Sequence, residues 1–244
     1  MNKRKVAVFV EGQSEYVFVR DFLCRWYDYD SSVLGIECFS LRSDRYNSEP
    51  YPFGNRESIN YYQIVNVGND RSVLSKMLKE APRLQNVGFH QIIGLSDMYS
   101  DLYHVQTKER CIDLSVNQKF IDEHQNSLNT SLQRDLLSYH FAIMEVEAWI
   151  LGMYQFLQQV DPSLTPQFIM SKLQIDLTAD PEISFYHPAK VLDEIYHLTG
   201  RQYGKHLSEV TAITSQFSKD DYARLLASGH CKSFKEFIKD LVAE

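Results

Sequence analysis

Four acidic positions, Glu11, Asp97, Glu145 and Glu147, stand where a sheet could gather them. Each lies within a few residues of a predicted strand end. Residues 6–10 lead into Glu11-Gly12-Gln13-Ser14-Glu15, residues 89–95 into Ser96-Asp97, and residues 138–144 into Glu145-Val146-Glu147-Ala148-Trp149. In a parallel α/β sheet, ligands bind at the carboxyl ends of the strands. If the three runs are neighbouring strands, their carboxylates converge. Two carboxylates about 4 Å apart repel by roughly 1 kcal/mol in water and about 4 kcal/mol at an effective dielectric of 20. Such a cluster needs a cation, or a carboxyl that keeps its proton. Hard oxygen donors, with no histidine at zinc-ligand spacing, select Mg2+ or Mn2+. The same residues also have ordinary structural uses. Acids at a helix start contribute about 0.3–1 kcal/mol, which suits Glu11, Glu145 and Glu147, and Asp97 fits a turn.

The elements that must position them can be read from hydrophobic periodicity. Residues 6–10 form an unbroken apolar run, as expected of a central strand buried on both faces. A helix follows, with Phe18, Val19, Phe22, Leu23 and Trp26 at helical spacing. Residues 33–39 and 64–67 read as further strands, and 42–58 as an insertion loop rich in Arg, Ser, Asn, Pro and Tyr. Val73, Leu74, Met77, Leu78 and Ala81 make a one-sided stripe. Residues 89–95 and 138–144 are strands, with helical segments at 116–121 and 128–136 between them. From residue 146 the period becomes helical throughout. Pro188 opens one helix, a favoured first position, and Phe234, Phe237, Ile238 and Leu241 line another. The alternation predicts an α/β fold, a mainly parallel sheet flanked by helices. Residues 1–145 form that domain, and 146–244 form a C-terminal helical annex packed on it.

Composition excludes several classes. The 244 residues are 44% hydrophobic and 23% charged, enough apolar content for a packed core. The net charge of −7, from 25 Lys and Arg against 32 Asp and Glu, disfavours a protein that coats nucleic acid through its phosphates. Cys24, Cys38, Cys111 and Cys231 are scattered with no Cys-x-x-Cys pair, which suits a reducing cytoplasm. Lys3-Arg4-Lys5 before the first apolar run imitates a signal peptide, but the run is too short for one. No stretch approaches the ~20 apolar residues of a membrane span. The expectation is a cytoplasmic protein with no membrane partner.

Val8-Phe9-Val10-Glu11-Gly12-Gln13-Ser14-Glu15 resembles the strand and Glu-Gly turn of Toprim domains, found in topoisomerases, primases and nucleases of the overcoming-lysogenization-defect type. More narrowly, the chain resembles a bacterial family labelled domain of unknown function 4276. Asp97-Met98-Tyr99 is similar to that family's Asp-x-Tyr after a strand, and Glu145-Val146-Glu147-Ala148 to its Glu-x-Glu-Ala. Pro188-Ala189-Lys190 and Tyr203-Gly204-Lys205 are similar to its late Pro-x-Lys and Tyr-x-Lys elements.

The resemblance implies a Toprim-like fold and a role in bacterial defence or DNA-processing loci, sometimes beside a partner ATPase. Toprim catalysis pairs the Glu with Asp-x-Asp. Here Tyr99 stands at the second acid and the next one is Asp101, so Asp101 or the acids Glu145 and Glu147 must complete a metal site. On this reading Asp97 with Asp101, Glu145 or Glu147 holds Mg2+ or Mn2+, and Glu11 acts as general acid/base or a further ligand. Lys190 and Lys205 neutralise phosphoryl oxygens of a nucleic-acid substrate. The alternative is a non-catalytic Toprim-like module that binds a nucleotide, a nucleic-acid end or the ATPase.

Overall fold

The computed structural model describes residues 3–42, 45–107 and 111–242, without the side chains of Arg42, Asp70 and Arg71. Met1 and Asn2 at the start of the basic run, and part of the segment read as an insertion loop, lie outside the described residues. The strands are β1 (Arg4–Val10), β2 (Leu34–Arg42), β3 (Arg45–Ser48), β4 (Asn60–Asn66), β5 (Gln91–Asp97) and β6 (Leu137–Ala142). Helices α1 (Gln13–Trp26), α2 (Asp70–Asn86), α3 (Asp101–Gln106) and α4 (Leu114–Asn129) interleave with them. The C-terminal helices are α5 (Glu147–Gly152), α6 (Leu157–Val160), α7 (Pro166–Leu173), α8 (Pro181–Ser184), α9 (Pro188–His197), α10 (Leu207–Thr214), α11 (Lys219–Ser228) and α12 (Lys232–Leu241).

β1 is central because both its faces are apolar. Val6, Val8 and Val10 enter one core, while Ala7 and Phe9 enter another on the opposite face. The period-2 geometry of a strand makes that division. Strand order is β3-β2-β4-β1-β5-β6, parallel throughout except for β3, which runs antiparallel to β2. The chain leaves β1 through α1 toward β2, and leaves β5 toward β6 on the other side. The β1–β5 boundary is therefore the topological switch point, where a crevice opens beyond the carboxyl ends.

Two local expectations are corrected. The segment 42–58 is not all loop, because β3 pairs with β2 there. The one aromatic of β3, Tyr46, packs edge-on against Phe39 and donates a hydrogen bond to Glu80. One apolar residue in four leaves almost no periodic signal. Residues 128–136 are not a second helix either. α4 ends at Asn129, and only a single 3-10 turn at Arg134–Leu136 follows, with Leu132 exposed.

The C-terminal helices and the sheet share one core. Val6, Val8, Val10 and α1 cluster with residues from α5 through α12. At its centre Trp149, fully buried, lies 5.5 Å from the Phe18 ring, 5.4 Å from Phe234 and 5.6 Å from Phe237. Arg4 ties the two ends of the chain together. Its guanidinium donates to the Asp240 and Leu241 carbonyls at 2.8 and 2.7 Å, where α12 leaves backbone acceptors unpaired.

β5 and β6 are held close by an absent side chain. Gly94 lies opposite Tyr139, and a Cβ there would come within 2.4 Å of the Tyr139 ring and 3.2 Å of Met77 Sδ. Gly94→Ala is expected to cost about 1–3 kcal/mol by overpacking, read as a shifted midpoint in urea denaturation. An unchanged midpoint would show that the strands can part there freely.

Candidate metal centre

The end of β5 and the chain leaving β6 are joined beyond the strands themselves. Met98 N–H donates to the Ala142 carbonyl at 2.9 Å, and Tyr99 N–H to the Met144 carbonyl at 2.8 Å. Met144 takes a left-handed backbone, φ +64°, a costly conformation for a residue with a side chain. That turn swings the next residues back over the β5 end, and Val146 N–H donates to Asp97 Oδ1 at 2.9 Å. Asp97, Glu145 and Glu147 thereby meet, each offering one oxygen to a group whose members lie within 4.8 Å of one another.

Each carboxylate is anchored by one oxygen and turned inward with the other. Asp97 Oδ1 takes the Val146 N–H. Glu145 Oε2 takes the Ala189 N–H at 2.9 Å, in the first turn of α9. Glu147 Oε1 takes the Tyr203 hydroxyl at 2.7 Å. The remaining oxygens all face the Lys205 ammonium, at 2.8 Å from Glu145 Oε1, 3.1 Å from Glu147 Oε2 and 3.6 Å from Asp97 Oδ2. Glu147 is fully buried, and its Oε2 accepts no hydrogen bond among the described residues.

Lys205 arrives on a loop between α9 and α10 that is clamped at both ends. Tyr203 N–H donates to Asp193 at 2.8 Å, and Gly204 and His206 N–H donate to Glu209 at 2.8 and 3.0 Å. Lys205 itself has φ +58°. Burial pulls its ammonium toward losing the proton, but the fields of Asp97, Glu147 and Glu145 outweigh that and raise its pKa. It keeps its proton and its charge.

The other expected site residues divide. Glu11, half-buried at the end of β1, accepts the Asp97 backbone N–H at 3.0 Å and so borders the triad. Asp101 is the exposed first residue of α3 and is outside the convergent group. The Lys190 side chain is 72% exposed and pairs with Glu194 at 3.7 Å, one helical turn along α9. Lys205 meets carboxylates, where its motif suggests a phosphate contact.

Two further members stand within the motif segments but are not among the candidate site residues. Glu15 is buried in the first turn of α1, where its Oε2 accepts the Gly12 N–H at 2.8 Å. Burial raises its pKa, the Glu147 charge adds to this and Lys205 opposes it. Asp97 is raised well above the usual carboxyl range by burial, then by Glu15, with Lys205 opposing and Glu147 and Glu11 adding. Tyr203 is the other, through its bond to Glu147. Tyr203→Phe would leave a buried acceptor without its donor. The expected loss is about 1–3 kcal/mol of stability, measured by guanidinium denaturation, and no loss would show Glu147 anchored elsewhere.

The raised carboxyls set a pH dependence. An acid whose pKa is higher folded than unfolded keeps its proton longer in the folded state. Between the two values the folded chain binds more protons, so stability falls as pH rises. Without added metal, the contribution of these carboxyls to stability is expected to be lost as pH rises above their unfolded pKa of about 4. Denaturation curves across that range check it, and stability rising with pH would contradict it.

Beside the triad runs a cleft of about 480 Å³ between α2 and α4, and Asp97 is one of its lining residues. Phe120, His124, Tyr139 and Phe141 form its apolar wall. Tyr99, Tyr186 and His187 form a separate aromatic group, with ring centroids 4.6–5.7 Å apart, close along the chain to Asp97 and to the α9 turn that holds Glu145. Among the described residues, no helix is long and apolar enough to cross a membrane.

The donor set fits a hard divalent cation. All three donors are carboxylate oxygens, the hard ligands such a cation takes, and they lie within 4.8 Å of one another. No family model, curated protein or solved structure matches the chain.

Proposed function

We propose that this chain is a Mg2+- or Mn2+-dependent phosphodiester-cleaving enzyme acting on nucleic acid, of the Toprim-like kind its motifs resemble. One observation carries the reading: three carboxylates, each tied back by one oxygen, present the other to a single point. Asp97, Glu145 and Glu147 would hold the cation. When bound, it would supply Lewis-acid polarisation of the phosphate and a water nucleophilic near neutral pH. Glu11, against the Asp97 backbone, takes or gives the proton at the edge of the centre. Lys190, exposed on the helix that anchors Glu145, offers a phosphate contact outside it. A defence or DNA-processing setting, with a partner ATPase, belongs to the same proposal.

A second reading has its own observation. The Lys205 ammonium already neutralises part of the triad, so the cluster can stand without metal as the core of a binding module for a nucleotide or a nucleic-acid end. A cleavage assay on single- and double-stranded substrates, with and without Mn2+, separates the two. Metal-dependent cleavage by wild type that is lost in Asp97→Asn supports the enzyme. Equal cleavage by both would exclude this centre, and metal-independent binding without cleavage favours the module.

A further inference from the structure

Three carboxylates and one ammonium share a very small volume. The inward oxygens of Asp97, Glu145 and Glu147 all lie within 3.6 Å of Lys205 Nζ. A divalent cation drawing the same oxygens to about 2.1 Å would occupy nearly the same point. The two cations cannot coexist there, because both contact and charge repulsion forbid it. Glu147 Oε2 depends most on that seat being filled: it is fully buried, meets no hydrogen-bond donor in good geometry among the described residues, and has the Lys205 ammonium 3.1 Å away as its counter-charge.

Lys205 can leave the triad without the loop unfolding. Its side chain is 34% exposed, and the loop is held through the backbone of Tyr203, Gly204 and His206 by Asp193 and Glu209, not by the ammonium. A lysine stem is flexible and keeps its head in water readily.

We propose that Lys205 and the divalent cation are alternative occupants of one carboxylate seat. Metal entry expels the ammonium toward solvent, where it becomes the phosphate-binding cation of the loaded site. This deepens the metal-dependent reading and rests on it. It orders events, since substrate phosphate gains its lysine contact only after the metal is seated. It also gives the metal-free protein an internal counter-ion that limits repulsion among its buried acids.

The test uses the full chain and Mn2+ alone. Calorimetric titration compares wild type with Lys205→Met, which keeps the stem and removes the charge. Mn2+ affinity is expected to rise about tenfold or more in the variant, because a competing unit charge has been removed a few ångströms from the site. In parallel, wild type is acetylated with and without Mn2+, and modification at each lysine is read by mass spectrometry. This arm holds even if the variant folds poorly. Lys205 labelling should increase several-fold on Mn2+ addition while Lys190 labelling stays constant. Mn2+ binding to wild type with Lys205 labelling unchanged or reduced would overturn the shared seat and leave the metal reading intact. Binding by Lys205→Met but not by wild type would support the shared seat while overturning wild type as a metal enzyme. No binding by either folded form would overturn both.

Discussion

Asp97→Asn is expected to abolish Mn2+ binding while leaving the metal-free fold at least as stable as wild type. Asn keeps an acceptor oxygen for the Val146 N–H, so the turn over β5 is retained. It removes the charge that Glu15, Glu147 and Glu11 oppose. It also removes the inward oxygen's charge, 3.6 Å from the Lys205 ammonium and the longest of that group's three pairings. Residues that merely orient a metal ligand cost about 10–100-fold in affinity when removed, so loss of a ligand should exceed that. The decline of stability toward neutral pH should flatten in the variant, because the most strongly raised carboxyl is gone. Titration calorimetry and denaturation curves at two pH values read both effects. Undiminished Mn2+ affinity would remove Asp97 from the centre, and a large loss of stability would make its charge structural.

The second large effect lies in the core that carries the centre. Trp149→Ala is expected to destabilise the chain by about 3–5 kcal/mol, the range for deleting a buried aromatic. The ring is fully enclosed between α1 and α12, against Phe18, Phe234 and Phe237. Its Nε1–H also donates to Glu182 at 2.9 Å and to Ser233 at 3.0 Å, and Glu182 is a buried acid whose pKa burial raises. Trp149→Phe keeps most of the packing and loses only the donor, so it should fall between wild type and Ala. Trp149 follows Glu147 closely on α5, so a loosened helix should also weaken Mn2+ binding. Guanidinium denaturation measures the loss. A cost below about 1 kcal/mol would mean that the C-terminal helices fold without this shared core.

Much of this arrangement is legible in the amino-acid sequence, for a simple reason. Strands buried on both faces leave continuous apolar runs, and the residue after such a run lies at a strand end. That logic locates β1 and β5; with β6, a half-buried edge strand of mixed sequence, they put Glu11, Asp97, Glu145 and Glu147 at one edge. Sequence patterns lose force where position depends on folded-back loops. Lys205 reads as a phosphate contact because the Tyr-x-Lys resemblance marks it so; its partners come from the end of β5 and the turn that opens α5, far away in sequence. Tyr203 is marked by the same motif, but its partner Glu147 is equally invisible there. Glu15 carries a usable signal, since Gly12 followed three residues later by Glu is a helix-start pattern. Its burial against the triad is not visible, because a capping acid is ordinarily solvated. Lys190 and Asp101 show the reverse, motif positions that the fold leaves on the exposed side. β3 escapes a periodicity reading because its pairing rests on backbone hydrogen bonds, which side-chain patterns do not record.

That the triad is a metal seat can be tested by anomalous diffraction from crystals soaked in Mn2+. One strong peak is expected, bonded to Asp97 Oδ2, Glu145 Oε1 and Glu147 Oε2 at roughly 2.1 Å, with the Lys205 ammonium displaced from all three. An anomalous map with no peak among these oxygens, and Lys205 still seated between them at saturating Mn2+, would contradict it.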